Sequence, residues 1–215
     1  MDEKLQISEE IGFFEKMKSF FIKNKKLIII IFSFIFLLLI SFFIFKEYKI
    51  NQKIKISEEF NSTIIDYTEK NKDRTIKKLT NIIEKHDETY SPLSLYFIID
   101  NNLIDEMTEI NRLFDELINH VKLEEEIKNL IIYKKALYNS DKSDEFFLLN
   151  VLKPLINSDS IWKAHGLNLM GEFFYDKNEK EKSKEFFQQI LQLDKINSDI
   201  KKNSQIRLQR DLGEK

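Results

Sequence analysis

The sequence predicts an all-α protein, with a single N-terminal transmembrane helix followed by a solenoid of helical hairpins. Three observations predict it. A stretch of 19 residues from Leu27 to Phe45 carries no charge, and only Ser33 and Ser41 in it are polar. Beyond it, apolar residues recur at helical spacing and nowhere alternate convincingly with polar ones, as a half-buried strand would require. The chain of 215 residues holds only 4 Gly and 2 Pro, too few turn-formers for a sheet protein with many tight hairpins.

Residues 1–26 read as a short cytoplasmic tail. Ser8 is placed to cap a helix with Glu9 and Glu10 in its first turn. Ile11, Phe14, Met17, Phe20 and Phe21 would then share one face, with Lys16, Lys18 and Lys23 towards its edges. That pattern suits an amphipathic segment lying on a membrane surface; a partly helical tail with no partner fits it equally.

Residues 27–45 read as the membrane anchor. As a helix the stretch is roughly 28 Å long, close to the thickness of a bilayer's hydrocarbon core. A cleaved signal peptide is the competing reading, but its apolar part usually covers ~7–15 residues and ends at a small-residue cleavage site. Here Lys46, Glu47, Tyr48 and Lys49 follow instead. Five lysines (Lys16, Lys18, Lys23, Lys25 and Lys26) precede the span and four (Lys46, Lys49, Lys53 and Lys55) follow it closely. Lys23, Lys25 and Lys26 fall in the last four residues before it. Long domains cross largely regardless of charge, so the short tail decides orientation. This places the N-terminus in the cytoplasm and the rest outside.

Residues 46–215 read as one helical domain. Ile76, Leu79, Ile82 and Ile83 form one stripe; Met107, Ile110, Leu113, Phe114, Leu117, Ile118 and Val121 form a cleaner one. Ser91-Pro92 looks like a cap followed by proline at the first helical position. Ser143-Asp144-Glu145 and Asn157-Ser158-Asp159-Ser160 mark further starts. The expected helices are 47–70, 73–86, 91–103, 105–121, 123–139, 143–157, 160–176, 179–193 and 197–211. Short loops make neighbours antiparallel. The first helices of successive pairs start near Ser57, Ser91, Glu124 and Ser160, separations of 34, 33 and 36 residues. These lie close to the tetratricopeptide period of ~34 residues. The first of these starts competes with a helix that simply continues out of the membrane.

One repeat can be followed residue by residue against the tetratricopeptide pattern of W-x2-L-G-x2-Y, then A-x3-F, then P. Leu167 takes the Trp position, Met170 the Leu, Gly171 the Gly and Phe174 the Tyr; Ser183 and Phe187 follow at the small residue and the Phe. A small residue is needed where two helices of a hairpin cross closely, and aromatics fill the space beside it. The chain departs from the pattern in lacking the Trp, in Ser for Ala, and in Lys195 where the Pro would stand. A generic helical-hairpin solenoid would produce the same stripes.

A short tail, one anchor and a degenerate tetratricopeptide-like domain resemble the YfgM-like ancillary subunits of the SecYEG translocon. The closest stretch is Ile161-Trp162-Lys163-Ala164, then Gly166, Met170-Gly171-Glu172 and Asn178. It is similar to that family's Trp, small residue, Gly-Glu pair and turn before the last hairpin. The likeness in layout runs through the whole chain, while the motif residues lie within about 30 positions. The resemblance implies a bacterial inner-membrane protein with its domain in the periplasm. It also implies association with the translocon and periplasmic chaperones, in a non-enzymatic role assisting newly exported chains. A membrane-tethered scaffold for envelope assembly or cell division is the alternative within the same class.

The chemistry-bearing residues are sparse. Cysteine is absent, excluding disulfides, thiolate metal sites and cysteine nucleophiles. Lys+Arg 34 against Asp+Glu 36 gives a net charge of -2 and no reason to expect nucleic acid. There is no Gly-rich phosphate loop and no G-x-S-x-G elbow, so a membrane-bound hydrolase has no visible nucleophile. No cofactor, metal or small-molecule ligand is expected. His86, in His86-Asp87-Glu88, could suggest a metal, but it falls at a helix end, where imidazole interacts well with the helix dipole. Neither His120 nor His165 is read as having a carboxylate or second histidine at ligand spacing. Trp162 is the residue to watch: either it packs on the preceding hairpin, or it is exposed and anchors a partner. Phe173, Phe174, Phe186 and Phe187 invite the same comparison. In a solenoid the concave face of the first helices is the usual docking surface.

Overall fold

A computed structural model of the chain describes residues 18, 20, 22–194 and 196–213, the side chain of Ile28 excepted. The expected amphipathic face of the tail (Ile11, Phe14, Met17, Phe21) lies outside them. Among the described residues the protein is helical with no strand. The chain divides after Lys55 into two units.

Helix α1 runs Lys25–Ile65, 41 residues, so the expected span and the helix expected at 47–70 are one element. The physical reason is local. No Gly or Pro falls between Phe45 and Ile65 to interrupt the ladder of backbone hydrogen bonds. The apolar part is long enough to cross a membrane, and it buries none of its surface in the protein. Lys49 folds back so that its ammonium lies 5.0 Å from the centre of the Phe45 ring. The helix stops at Ile65, where Asn71 ties off the turn. Its side-chain amide donates to the Asp66 carbonyl at 2.8 Å and its carboxamide oxygen accepts from the Thr68 N–H at 2.9 Å. A short 3-10 turn, Glu69–Asn71, follows.

From Ile56 onward the second unit continues through α2 (Lys72–Glu84), α3 (Tyr90–Asp100), α4 (Met107–His120) and α5 (Glu125–Asn139). The later helices are α6 (Glu145–Ile156), α7 (Lys163–Asp176), α8 (Lys180–Leu191) and α9 (Ser198–Ile206), with a π-turn at Arg207–Asp211. The two stripes read from the sequence are buried: Leu79, Ile82 and Ile83 on α2, Ile110, Leu113, Phe114 and Leu117 on α4. Each fully buried aliphatic side chain contributes roughly 1.5–3 kcal/mol. The end of α1 joins this core through Phe60, whose ring lies 5.6 Å from that of Tyr90, and Tyr90 donates a hydrogen bond to the Ser57 hydroxyl at 2.7 Å. Lys85 and Glu59 close an ion pair beside them.

Helix ends explain how a chain so poor in glycine turns so often. His86, Asn102 and Asn178 adopt the left-handed conformation, with φ of 55°, 49° and 61°. The backbone N–H groups of Leu103 and Glu179 then reach back five residues to Ile98 and Phe174, each at 2.9 Å, in Schellman closures. Asparagine tolerates this conformation better than most residues.

The start of α3 corrects the reading of Ser91-Pro92 as cap and first residue. The helix begins at Tyr90, and Asp87 caps it, accepting from the N–H groups of Thr89 at 2.9 Å and Tyr90 at 2.8 Å. The Ser91 hydroxyl is buried and donates instead to the Ile82 carbonyl of α2. Pro92 remains in the first turn, where its missing N–H costs nothing. Asp144 caps α6 by accepting from Phe147 at 2.8 Å. The start expected at Ser160 falls instead at Lys163, because Ser160 uses its hydroxyl in the preceding turn: it accepts from Trp162 N–H at 3.1 Å and donates to Glu126 at 2.7 Å.

Neighbouring helices pack in sequence, but the phase of the pairs changes along the chain. In the second half α5 touches α7 and α7 touches α9, so the first helices of successive pairs meet, as the spacing of 36 residues anticipates. In the first half the substantial contact that skips a helix is between α2 and α4. A buried polar link fills part of the α4–α5 seam. Asn111 and Asn139 exchange carboxamide hydrogen bonds at 2.9 and 2.8 Å, and Asn139 is wholly buried. Tyr96 on α3 is less well served. Its hydroxyl is buried with no hydrogen-bond partner among the described residues, and burial pushes the phenol up to about 12. An unsatisfied buried hydroxyl costs ~1–3 kcal/mol. Tyr96→Phe keeps the ring under the Lys134 ammonium and is expected to raise the melting temperature by up to a few degrees. A clear fall in thermal unfolding followed by circular dichroism would reveal a partner for the hydroxyl.

Candidate functional site

The repeat-motif residues meet where α7 crosses α8. A Cβ built on Gly171 would stand 2.9 Å from two atoms of the Phe187 ring, closer than a side chain tolerates, so the backbone of α7 rests on that ring. The Ser183 hydroxyl, fully buried, donates to the Gly171 carbonyl at 2.8 Å. Serine at the small-residue position thus supplies a hydrogen bond that alanine could not. Leu167 and Phe187 pack with Ile190 and Leu208 on one side of α7. Met170 and Phe174 face the other way, into a cluster with Ala136, Leu148, Leu152 and Leu155. Phe174 stacks on Phe186 at 5.5 Å and meets Phe173 edge-on at the same distance. These six residues build the hairpin; none forms a cavity.

Trp162 is half-buried rather than displayed. Its ring stacks on Tyr133 of α5 at 5.9 Å and leans on His165 at 4.9 Å. The residue therefore packs against the preceding hairpin, on the side where α5 meets α7. Burial raises the Tyr133 phenol.

An apolar groove lies elsewhere, and sequence reasoning missed it. A groove of about 530 Å³ opens between α4, α5 and α6, lined by Ile118, Ile132, Phe146, Phe147, Val151 and Pro154 together with Asp115, Lys135, Asp144 and Asn150. Phe146 is 74% exposed, unusual for so large an apolar side chain. Lys135 is almost buried, its ammonium held at 2.6 Å by Asp115 and lying 5.9 Å from the Phe147 ring centre. Pro154, near the end of α6, has no N–H to give, which leaves the Asn150 carbonyl without its helical donor at the edge of the groove. The arrangement can hold apolar side chains, with one ion pair at its side. The only signal in the sequence was Phe146-Phe147 directly after a cap, and adjacent apolar pairs such as Ile82-Ile83 and Leu113-Phe114 are elsewhere both buried, so it did not single out Phe146.

The histidines require a correction. His86 and His120 come together, their rings 5.8 Å apart, with Glu116 between them. His86 Nε2 is 2.6 Å and His120 Nδ1 3.3 Å from the same Glu116 oxygen. Glu116 stands one helical turn before His120, a carboxylate at ligand spacing that the sequence reading passed over. The hydrogen bond to His86, and to a lesser degree the charges of His120 and Arg112, hold the Glu116 carboxyl below the usual carboxylate range despite partial burial.

No protein-family model, no curated protein and no solved structure matches the chain.

Proposed function

We propose that the protein is a membrane-anchored, non-enzymatic protein-interaction module, with its tail in the cytoplasm and its tetratricopeptide-like helical domain in the periplasm of a bacterial inner membrane. The observation that carries the docking role is the groove lined by Phe146, an exposed aromatic beside a partly filled apolar trough. Aromatic side chains so placed supply much of the energy of protein interfaces. The partner class, a Sec translocon subunit or periplasmic chaperone, rests on the resemblance carried by Trp162, Ala164, Gly166, Met170, Gly171 and Glu172. The close crossing at Gly171 supports the tetratricopeptide-like reading, since that pattern places glycine for the same purpose. The mechanism is positional: an anchor in the same membrane raises the effective concentration of the module near its partner.

Phe146→Asp tests it. The side chain is exposed, so the fold is expected to persist while partner recovery in mild detergent falls about 30-fold, the loss of a hot-spot residue worth ~2 kcal/mol. Undiminished recovery of translocon subunits or chaperones would move docking away from the groove. Recovery of division or envelope-assembly proteins alone would favour the scaffold reading. Orientation is checked by protease treatment of intact spheroplasts: residues after Phe45 are expected to be digested, and their protection until lysis would place them in the cytoplasm.

A further inference from the structure

We propose that His86, Glu116 and His120 form a binding site for a divalent transition-metal ion, Zn²⁺ above all, that staples the end of α2 to the end of α4. The three ligand atoms lie within 4.8 Å of one another. Zn²⁺ takes imidazole nitrogen and carboxylate oxygen at about 2.0–2.2 Å, so two ligands of a tetrahedral site stand ~3.3 Å apart. The His120 to Glu116 separation of 3.3 Å already has that value. The His86 to Glu116 separation of 2.6 Å is a hydrogen bond that opens by about 0.7 Å when the metal replaces the shared proton.

The backbone presets the donors. His120 and Glu116 are four residues apart on α4 and share a face. His86 comes from 30 positions earlier and is aimed by its left-handed backbone, which ends α2 beside them. Both histidines sit where a helix finishes, and the unpaired carbonyls there favour a cation. Asp87, next to His86, is occupied in capping α3 and is not a ligand. Besides the two histidines, Arg112 lies near Glu116, and its guanidinium is held by Glu109 at 2.7 and 2.9 Å. The side chains of His86, Glu116 and His120 are 41%, 22% and 58% exposed, so an ion can enter and water can complete the shell. Bound metal would lock the α2–α4 contact, the one long step that skips a helix in the first half of the domain.

The test uses the full chain in detergent with Zn²⁺, and with Co²⁺ as an optical probe. Saturable one-to-one binding is expected, with the ligand-field spectrum of a low-coordinate Co²⁺ site. The melting temperature should rise by about 5–10 °C at a zinc concentration one hundred times Kd. His86→Asn, which suits the left-handed backbone, and His120→Gln should each weaken binding by at least ~10–100-fold. His165→Gln should leave it unchanged. Both histidine variants alter exposed side chains, so circular dichroism should match the parent. Absence of saturable binding to the parent overturns the proposal, as does binding that survives both His86→Asn and His120→Gln.

Discussion

Phe187→Ala is expected to destabilise the helical domain by about 3–5 kcal/mol, the usual loss for a buried phenylalanine truncated to alanine. In a domain of this size that lowers the melting temperature by about 6–20 °C, measured by circular dichroism on the full chain in detergent. The ring is completely buried and carries the weight of the α7–α8 crossing, with the Gly171 backbone on one face and Leu167, Ile190 and Leu208 around it. Gly171→Ala acts on the same contact from the other side. It forces the ring to move, at ~1–3 kcal/mol, but regains about 1 kcal/mol of helix propensity. The net loss should therefore be smaller than that of Phe187→Ala. Combining Gly171→Ala with Phe187→Leu makes room for the methyl group, so the double variant should be more stable than the summed single losses predict, by ~0.5–3 kcal/mol. Strict additivity would mean that the two helices do not cross at this point.

The second large effect concerns the span. Ile35→Lys together with Leu38→Lys is expected to convert a carbonate-resistant membrane protein into one released from the membrane. Each apolar residue near the centre of a span favours insertion by roughly 0.3–0.6 kcal/mol, while each lysine there opposes it by about 2.5–3.5 kcal/mol. The 17 apolar residues of the 19 supply at most ~5–10 kcal/mol, and the two substitutions remove most of it. Alkaline carbonate extraction reads the result. The native chain should stay in the pellet and the double variant should appear in the supernatant. Extraction of the native chain itself would show that the apolar half of α1 does not cross a bilayer. An unchanged double variant would show that something other than the span retains the protein.

How much of this was legible beforehand depended on how local the cause was. The stripes on α2 and α4 were readable, because burial of one helix face imposes the 3.6-residue period directly on the sequence. So were a helix start at Ser143-Asp144-Glu145, though not which of the three caps it, and Gly171 and Ser183 as the small residues of a hairpin. The Ser91 cap was misread because the deciding acceptor, the Ile82 carbonyl, belongs to the preceding helix. Ser160 was misplaced for a like reason, its hydroxyl being drawn to Glu126, 34 residues away. The exchange between Asn111 and Asn139 left no trace, since each asparagine alone is an ordinary polar residue. The meeting of His86, Glu116 and His120 was half visible: Glu116 and His120 are one turn apart and His86 stood out in His86-Asp87-Glu88, but nothing local announces that His86 comes to the other two.

By itself the sequence determined that the described chain is helical, that one helix is apolar on every face over the length of a bilayer, and which faces of α2 and α4 are buried. These follow from composition and periodicity, which act within one helix. Tertiary structure alone decided that the pairing of helices changes phase near α5, that Phe146 stands exposed over a groove, and that His86 meets Glu116 and His120. Each depends on which surfaces come together after chain reversals. Left-handed residues at His86, Asn102 and Asn178 set the reversals after α2, α3 and α7.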